Sequence, residues 1–369
     1  MIPKVLHVIY DDPANPWVGG GGAVRARELY KHLGDRVDVT VATGNFPGAR
    51  DETINGIPYI RLGARSPYAW SRLTFGRRVT RMLRTARYDA AIFDFSGYSP
   101  VFLPRNRPTG VTVHHTSEPT AKHRWGSVLS FALGRVERAM MRRARRASAT
   151  SLASKATIES IAPGMPIDMV AAGVPDELFS LERRPAGFLL YFGRLDVYHK
   201  GLDTLLDAIA ILVKERPDLE IRIAGRGKDS ERVAQLTRSL GLEKNVRLLG
   251  AVSDDERNAL FAGAEVQLMP SRFEGFGLAA AEAMAAGVPL VASDAGSLPE
   301  VVDAPRGGVI VPTGDSAALA KATARLLDNP GERAALSSSA RESARRFQWR
   351  AVADDHLKFI MNIAATQTT

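Results

Sequence analysis

The sequence predicts an α/β protein made of two doubly wound parallel-sheet domains, on three grounds. Short, β-branched apolar runs alternate with helical patterns of about 10 to 20 residues from end to end, the order that sets a parallel sheet between two helical layers. The alternation restarts after Pro185. The 369 residues are too many for one compact unit and suit two domains of ordinary size.

In the first half, strands are expected at residues 5–10, 37–42, 90–93, 110–113, 149–151 and 168–171, with helices at 23–33, 72–87 and 130–147. In the second half, strands are expected at 188–192, 220–224, 246–249, 266–269, 290–292 and 308–311, with helices at 201–214, 229–240 and 278–286. Residues 173–187, rich in Pro and charge and weak in periodicity, read as a linker between domains 1–172 and 188–345. A last helical stretch, 349–364, lies within a tail 346–369 that is placed to cap either domain, crossing back to the first among the options.

Composition removes several function classes. With 45% hydrophobic residues, Gly 32 and Pro 21, the chain is neither disordered nor collagen-like. Cys 0 excludes a disulfide framework, a thiolate zinc site and a cysteine nucleophile, and fits a reducing, cytoplasmic location. No run approaches the roughly 18 uncharged apolar residues of a membrane span, and the segment MIPKVLHVIY is too short for a signal-peptide core. The net charge of +9 is uneven: residues 1–184 carry 27 Lys+Arg against 16 Asp+Glu, whereas 185–369 carry 22 against 24. Such asymmetry calls for an acidic partner of the first half. Helical projection of 130–147 sets Leu133, Val136 and Met140 against Arg135, Arg138, Arg142, Arg145 and Arg146, and 72–87 sets Phe75, Val79 and Leu83 against Arg77, Arg81, Arg84 and Arg87. Two readings stay open: arginines in water on ordinary surface helices, or faces lying on anionic lipid at the inner side of the membrane, anchored by Tyr68, Trp70 and Phe75. Nucleic acid is set aside, because zinc-finger spacing, an aromatic RNA-binding signature and a heptad zipper are all missing.

Four motifs carry chemistry. Gly20, Gly21 and Gly22, within a run of glycines from 19 to 22, follow the first strand and precede a helix whose N–H groups can meet an anion. The spacing is not GxGxxG and no acidic residue stands where a ribose would be held, so a dinucleotide cofactor is not expected. Arg194 and Lys200, six residues apart, bracket a loop at the end of a strand and can converge on one diphosphate, unless they are a solvated surface pair. Glu274 and Glu282, eight apart, flank a Gly-containing turn whose Gly275, Phe276, Gly277 and Leu278 open a helix. A carboxylate inside LAAAEAMAA is costly without a hydrogen-bond partner, and a ribose diol supplies one, as would a backbone amide or an arginine. His114-His115 ends the strand at 110–113, with Glu118 as the one nearby candidate to share a metal, which leaves metal binding unexpected. No GxSxG elbow is present.

Together these segments resemble the retaining glycosyltransferases of family 4 (glycosyl transferases group 1), whose GT-B fold has two facing Rossmann-like domains and a deep interdomain cleft. The resemblance rests on FGRLDVYHKGLDTLLDA, IAGRGKD, NVRLLGAVSDDE, MPSRFEGFGLAAAEAMAAGVPLVASDAGSLPEVV and GGVIVPTGD, together with the N-terminal glycine loop and AAGVPDELF. It implies an acceptor-binding first domain and a donor-binding second domain. In that family pattern Arg194 and Lys200 neutralise the donor diphosphate as it leaves, so no metal or other cofactor is required. Glu282 bonds the donor ribose, Glu274 sits near the sugar hydroxyls, and Phe276, Gly277 and Leu278 offer N–H groups. Gly20, Gly21 and Gly22 close over phosphate, Gly225 and Val252 lie by the base, and His114, with His115 as fallback, holds the sugar's 6-hydroxyl or steadies charge at the reacting centre. The implied reaction moves a hexosyl group from a UDP- or GDP-linked sugar to a hydroxyl of a phosphorylated or lipid-linked glycan acceptor. The chain departs from the family at Ala171-Ala172-Gly173, where Asn-Gly is frequent. The rivals are a hydrolysing nucleotide-sugar epimerase and a non-catalytic sugar-nucleotide binding protein.

Overall fold

The computed structural model describes residues 2–17, 21–96, 98–114 and 127–366, with the backbone alone given for 127–130, 132 and 133. The chain forms two compact units, Met1–Ala172 together with Trp349–Thr369, and Gly173–Gln348. Residues 173–187, expected as a linker, group with the second unit and contain a 3-10 turn at Asp176–Ser180. The last helix groups with the first.

The first unit runs β1 (Lys4–Val8), α1 (Gly21–Leu33), β2 (Asp38–Gly44), β3 (Glu52–Ile54), β4 (Ile57–Leu62), α2 (Tyr68–Thr85), β5 (Ala90–Asp94), β6 (Thr109–Val113), α3 (Ser127–Met141), β7 (Arg146–Ala149), α4 (Leu152–Ile161) and β8 (Ile167–Met169). Its sheet order is β3-β4-β2-β1-β5-β6-β7-β8, parallel except for the β3–β4 pair. That antiparallel hairpin was not expected from the sequence, and turns at Asn55 and Gly56, which both take positive φ. Helices cover both faces. Phe75, Val79 and Leu83 of α2 pack with Leu6, Val8, Phe93 and Val111 on one side. On the other, Leu29 and Leu33 of α1 pack with Val5, Ile92 and the terminal helix, whose Val352, Phe359, Ile360 and Ile363 recur at helical spacing.

Two expectations for the arginine-rich helices are corrected. Phe75, foreseen as a membrane anchor, has 0% exposure and belongs to the core, because it lies on the same helix face as Val79 and Leu83. The helix expected over 130–147 ends at Met141, and Arg146 already opens β7, pairing with Gly110 of β6. Polar arginines at 142, 145 and 146 suit a helix face and a helix-to-strand turn equally well, so periodicity could not find this end.

The second unit runs β9 (Phe188–Phe192), α5 (Val197–Lys200), α6 (Leu202–Leu212), β10 (Glu220–Ala224), α7 (Ser230–Ser239), β11 (Val246–Gly250), α8 (Asp254–Gly263), β12 (Ala264–Met269), α9 (Leu278–Ala285), β13 (Leu290–Ser293), α10 (Leu298–Val302), β14 (Val309–Val311), α11 (Ser316–Asp328) and α12 (Pro330–Ala344). The sheet order β11-β10-β9-β12-β13-β14 is wholly parallel. It reverses at the β9–β12 junction, the switch point where such sheets leave room for a ligand at their carboxyl edge. Local chemistry fixes the helix starts: Ser253 and Glu256 form a capping box on α8, and Asp315 accepts from the Ala318 N–H at 2.8 Å to start α11. The chain closes with α13 (Trp349–Ala365). Among the described residues no helix is long and apolar enough to cross a membrane.

Candidate active site

In the second unit the predicted residues follow the carboxyl ends of strands: Arg194 and Lys200 after β9 and Glu274 to Glu282 after β12, the two strands of the switch point, with Gly225 after β10 and Val252 after β11. Lys200 ends α5, and its ammonium donates to the Glu274 carboxylate. The same Glu274 oxygen accepts from the Ser271 Oγ at 3.1 Å. Arg194, just past β9, is exposed, and no carboxylate pairs with its guanidinium among the described residues. The Tyr191 hydroxyl donates to the Arg194 carbonyl at 2.9 Å. Burial pushes that phenol well up; Glu274 raises it further and Arg194 opposes, which sets both charges around one ring. Asp196 caps α5, accepting from the His199 N–H at 3.1 Å and lying 2.9 Å from its Nδ1. Burial alone would raise the Asp196 pKa, but the two His199 hydrogen bonds and the charges of His199 and Lys228 bring it down to about 2.

Glu282, on the second turn of α9, is 8% exposed and has no hydrogen-bond or ion-pair partner among the described residues. Burial raises its pKa to about 7; the charge of Arg257 pulls the other way. Gly277 caps α9 at φ +87°, and Leu278 is the first helical residue, so the N–H groups of Leu278 and Ala279 have no intrahelical acceptor, whereas the Ala280 N–H already meets the Gly277 carbonyl at 2.9 Å. Phe276 packs edge-on to Phe347 at 5.3 Å between ring centroids. Val252 is half-buried between β11 and the Ser253 cap.

Gly225 locks two of these loops together. It takes φ +141°, and a Cβ there would fall 1.8 Å from the Gly193 carbonyl oxygen. The Gly193 N–H meets the Ala224 carbonyl at 3.0 Å, and the Leu195 N–H meets the Arg226 carbonyl at 2.9 Å. Gly225→Ala should therefore lower stability by about 2–3 kcal/mol through backbone strain and overpacking, read as an earlier urea transition. An unchanged transition would remove this close approach from the account.

In the first unit, Gly21 and Gly22 open α1, and Gly20 and His115 lie outside the described residues, as does Glu118. A Cβ at Gly22 would sit 2.9 Å from the Ile9 Cδ1 and 3.5 Å from an Asp11 carboxylate oxygen. His114 follows β6, partly exposed, with Nε2 3.4 Å from the Asp94 Oδ2. Asp94 ends β5 and is buried, and its Oδ1 lies 3.4 Å from the His7 Nε2. Burial alone would raise the Asp94 pKa, but the His7 charge and the contacts with both histidines hold it well below the usual carboxylate range. Behind it, the His7 Nδ1 meets the Tyr30 hydroxyl at 2.7 Å, which in turn lies 3.4 Å from the His356 Nε2. Arg25 is buried beside this group, and among the described residues none of its three guanidinium nitrogens has a hydrogen-bond partner. Asp94 and Arg25 went unforeseen in the sequence. The one signal was a carboxylate ending the apolar run AAIFD.

Two parallel-sheet α/β units of this kind define a GT-B type of architecture. The model for glycosyl transferases group 1 matches residues 177–343, and that for glycosyltransferase family 4 matches residues 19–178. The chain belongs to glycosyltransferase family 4. It is 36% identical over 179 residues to the phosphatidyl-myo-inositol mannosyltransferase of Mycobacterium leprae, covering 48% of this chain and 47% of that protein. It is 38% identical over 178 residues to the D-inositol 3-phosphate glycosyltransferase of Saccharomonospora viridis, covering 46% and 41% respectively. The chain thus spans less than half the length of these curated relatives. Among solved structures, sucrose-phosphate synthase from Thermosynechococcus elongatus superposes with a TM-score of 0.80 at 22% identity, covering 99% of this chain and 100% of that one. Anabaena HepE in complex with UDP and glucose gives a TM-score of 0.73 at 20% identity over 97% of this chain and 99% of that one. At these identities the likeness shows the fold.

Proposed function

We propose that the chain is a retaining, metal-independent hexosyltransferase that moves a hexosyl group from a nucleotide-diphosphate sugar to a hydroxyl of a phosphorylated or lipid-linked acceptor. The observation that carries the reading is the set of groups on the segments that follow β9 and β12: a Lys200–Glu274 pair, with Arg194 and a buried Glu282 that each have no ion-pair partner among the described residues. Charge grows on the leaving diphosphate as the sugar becomes oxocarbenium-like. Cations fixed in advance where that charge appears lower the barrier, and a Glu282 carboxylate bonded to the ribose diol registers the donor. The names of relatives support an anionic acceptor, since they include an inositol phosphate and a phosphatidylinositol. The UDP and glucose held by HepE support the donor class.

The deciding experiment is nucleotide release from UDP- and GDP-sugars by the purified protein, with and without EDTA, beside Glu282→Ala. EDTA-insensitive release of one nucleotide, lost in the variant, is the expected result. Release of free, epimerised sugar would favour the epimerase, and no release from any donor by folded protein would favour a binding protein. His114 would hold the sugar, with Asp94 accepting its Nε2 proton and leaving Nδ1 toward the substrate. Asp94→Asn should then slow turnover about tenfold, one charge-assisted hydrogen bond's worth, with nucleotide affinity little changed. An equal loss of nucleotide affinity would remove this role.

Membrane contact forms part of the same proposal. Trp70 and Leu73 are exposed on α2, in line with Arg77, Arg81 and Arg84, and this helix carries no acidic residue. Such a face suits anionic lipid. Co-sedimentation with phosphatidylglycerol vesicles should be lost in Arg77→Glu/Arg81→Glu, and undiminished binding would overturn it.

A further inference from the structure

A second polar centre lies on the first sheet's carboxyl edge. Arg72, in the second turn of α2, is 9% exposed, and among the described residues no carboxylate pairs with it. Its guanidinium is boxed by aromatic rings, 4.1 Å from the Tyr10 centroid, 5.0 Å from Tyr68 and 5.8 Å from Tyr98. Its Nε donates to the Tyr68 hydroxyl at 2.6 Å. One terminal nitrogen donates to the Ser99 Oγ at 2.9 Å and the Ser96 Oγ at 3.3 Å. The other terminal nitrogen has no acceptor among the described residues.

Among the described residues every hydrogen-bond and ring partner of this cation is neutral, and the Asp11 carboxylate, which feels its charge, forms no ion pair with it. Ring faces and hydroxyls attract a guanidinium, but a buried arginine is ordinarily matched by an anion. The three fixed contacts hold the planar group in one orientation and leave one edge with free N–H groups, the geometry that grips phosphate oxygens. The location is equally specific. Asp11, next to Gly22, feels Arg72, Asp94 and His114 together, so the arginine and the candidate histidine share one edge of the sheet. Its own pKa is raised by burial, against the pull of the Arg72 charge. Tyr68 is 39% exposed and lies edge-on to Trp17 at 5.6 Å, which makes an apolar wall beside the free edge.

We propose that Arg72 is the residue that reads the acceptor, binding a phosphate group on it while the aromatic wall flanks the part that bears the attacked hydroxyl. The inference rests on the transferase reading above and deepens it. The phosphate has two sources with one chemistry, a soluble sugar or polyol phosphate and a phospholipid headgroup.

The test compares acceptors that differ only in phosphate, with the donor fixed: myo-inositol against myo-inositol 1-phosphate, glucose against glucose 6-phosphate, and vesicles of phosphatidylcholine with and without phosphatidylinositol. Wild-type kcat/KM should favour the phosphorylated member by at least about tenfold, Arg72→Lys should keep part of that preference, and Arg72→Gln should abolish it. Turnover confined to vesicles assigns the lipid source, and turnover with soluble phosphates the other. A preference that survives Arg72→Gln, or equal use of neutral acceptors by the wild type, overturns the proposal. The second measurement needs no turnover. In protein saturated with UDP, titration with glycerol 3-phosphate should shift one arginine Nε resonance saturably, and that resonance should be missing from Arg72→Lys. Glycerol should leave it in place. No shift with the phosphate overturns the inference, whereas a shift without nucleotide release from any donor would leave the site standing and remove the transferase reading.

Discussion

Replacing Lys200 by alanine should cut turnover about 10²- to 10³-fold, the loss seen when one fixed charge-stabilising group is taken from a transition state. The Lys200 ammonium is held against Glu274, which is itself steadied by Ser271. An arriving diphosphate would share that ammonium, so Lys200 has two conceivable duties: holding Glu274 in place, or meeting the phosphate. A double-mutant cycle separates them. If Lys200 serves Glu274 alone, Lys200→Ala/Glu274→Ala should be no slower than Glu274→Ala. If it meets the phosphate as well, the double variant should be slower by a further factor of about ten or more, and the donor KM should rise with it. Lys228, an exposed lysine 3.4 Å from the Asp196 carboxylate, is the control. Surface pairs of that kind carry little energy, so Lys228→Ala should stay within about threefold of the wild type. A Lys200→Ala enzyme with wild-type turnover would take the lysine out of the mechanism.

What the sequence reveals depends on the distance over which each feature is encoded. β9 starts and stops where its apolar run FLLYF does, because both faces of a central parallel strand are covered, and β10 where the alternation EIRIA does; in both the signal is local. Burial of Glu282 was legible in the small residues around it. The β3–β4 hairpin was missed because β3 is three residues long and Pro58 interrupts the second run, although Asn55-Gly56 is a strong turn signal. The Asp94–His114 contact could not be seen: the residues are 20 apart, and the parallel pairing that sets Asp94 beside Thr112 brings them together. Arg72 enters the sequence reading only as the first residue of the helix expected over 72–87. Its burial comes from Tyr10, two residues past β1, and Ser96 and Ser99 beyond β5, segments that no helical projection of α2 contains.

Glu282 should make the protein less stable as the pH rises from about 4.5 to about 7, and nucleotide should reverse that trend. The folded-state pKa of about 7 lies above the ordinary value of 4.5, with burial as the main cause and Arg257 opposing it. Below about pH 4.5 the group is protonated in both folded and unfolded chains and costs nothing. Between the two values the folded chain keeps a proton that the unfolded chain has released, so stability falls by about 1.4 kcal/mol per pH unit, about 3 kcal/mol across the window. Above about pH 7 the folded carboxylate is ionised and the penalty is constant. Glu282→Gln cannot ionise. Urea unfolding of the two proteins at a series of pH values should therefore show the variant gaining on the wild type through this window and then running parallel; a constant difference would mean that the carboxyl titrates normally. A ribose diol donates two hydrogen bonds and is matched by the ionised form, so nucleotide binding near pH 6 should release a proton. Affinity for the productive nucleotide should then rise between about pH 6 and about pH 8 in the wild type and stay flat and weaker in Glu282→Gln. Calorimetry in two buffers of different ionisation enthalpy measures that proton directly. Its absence, or the same pH profile in the variant, would place the ribose elsewhere and leave Glu282 as a buried acid with a structural duty.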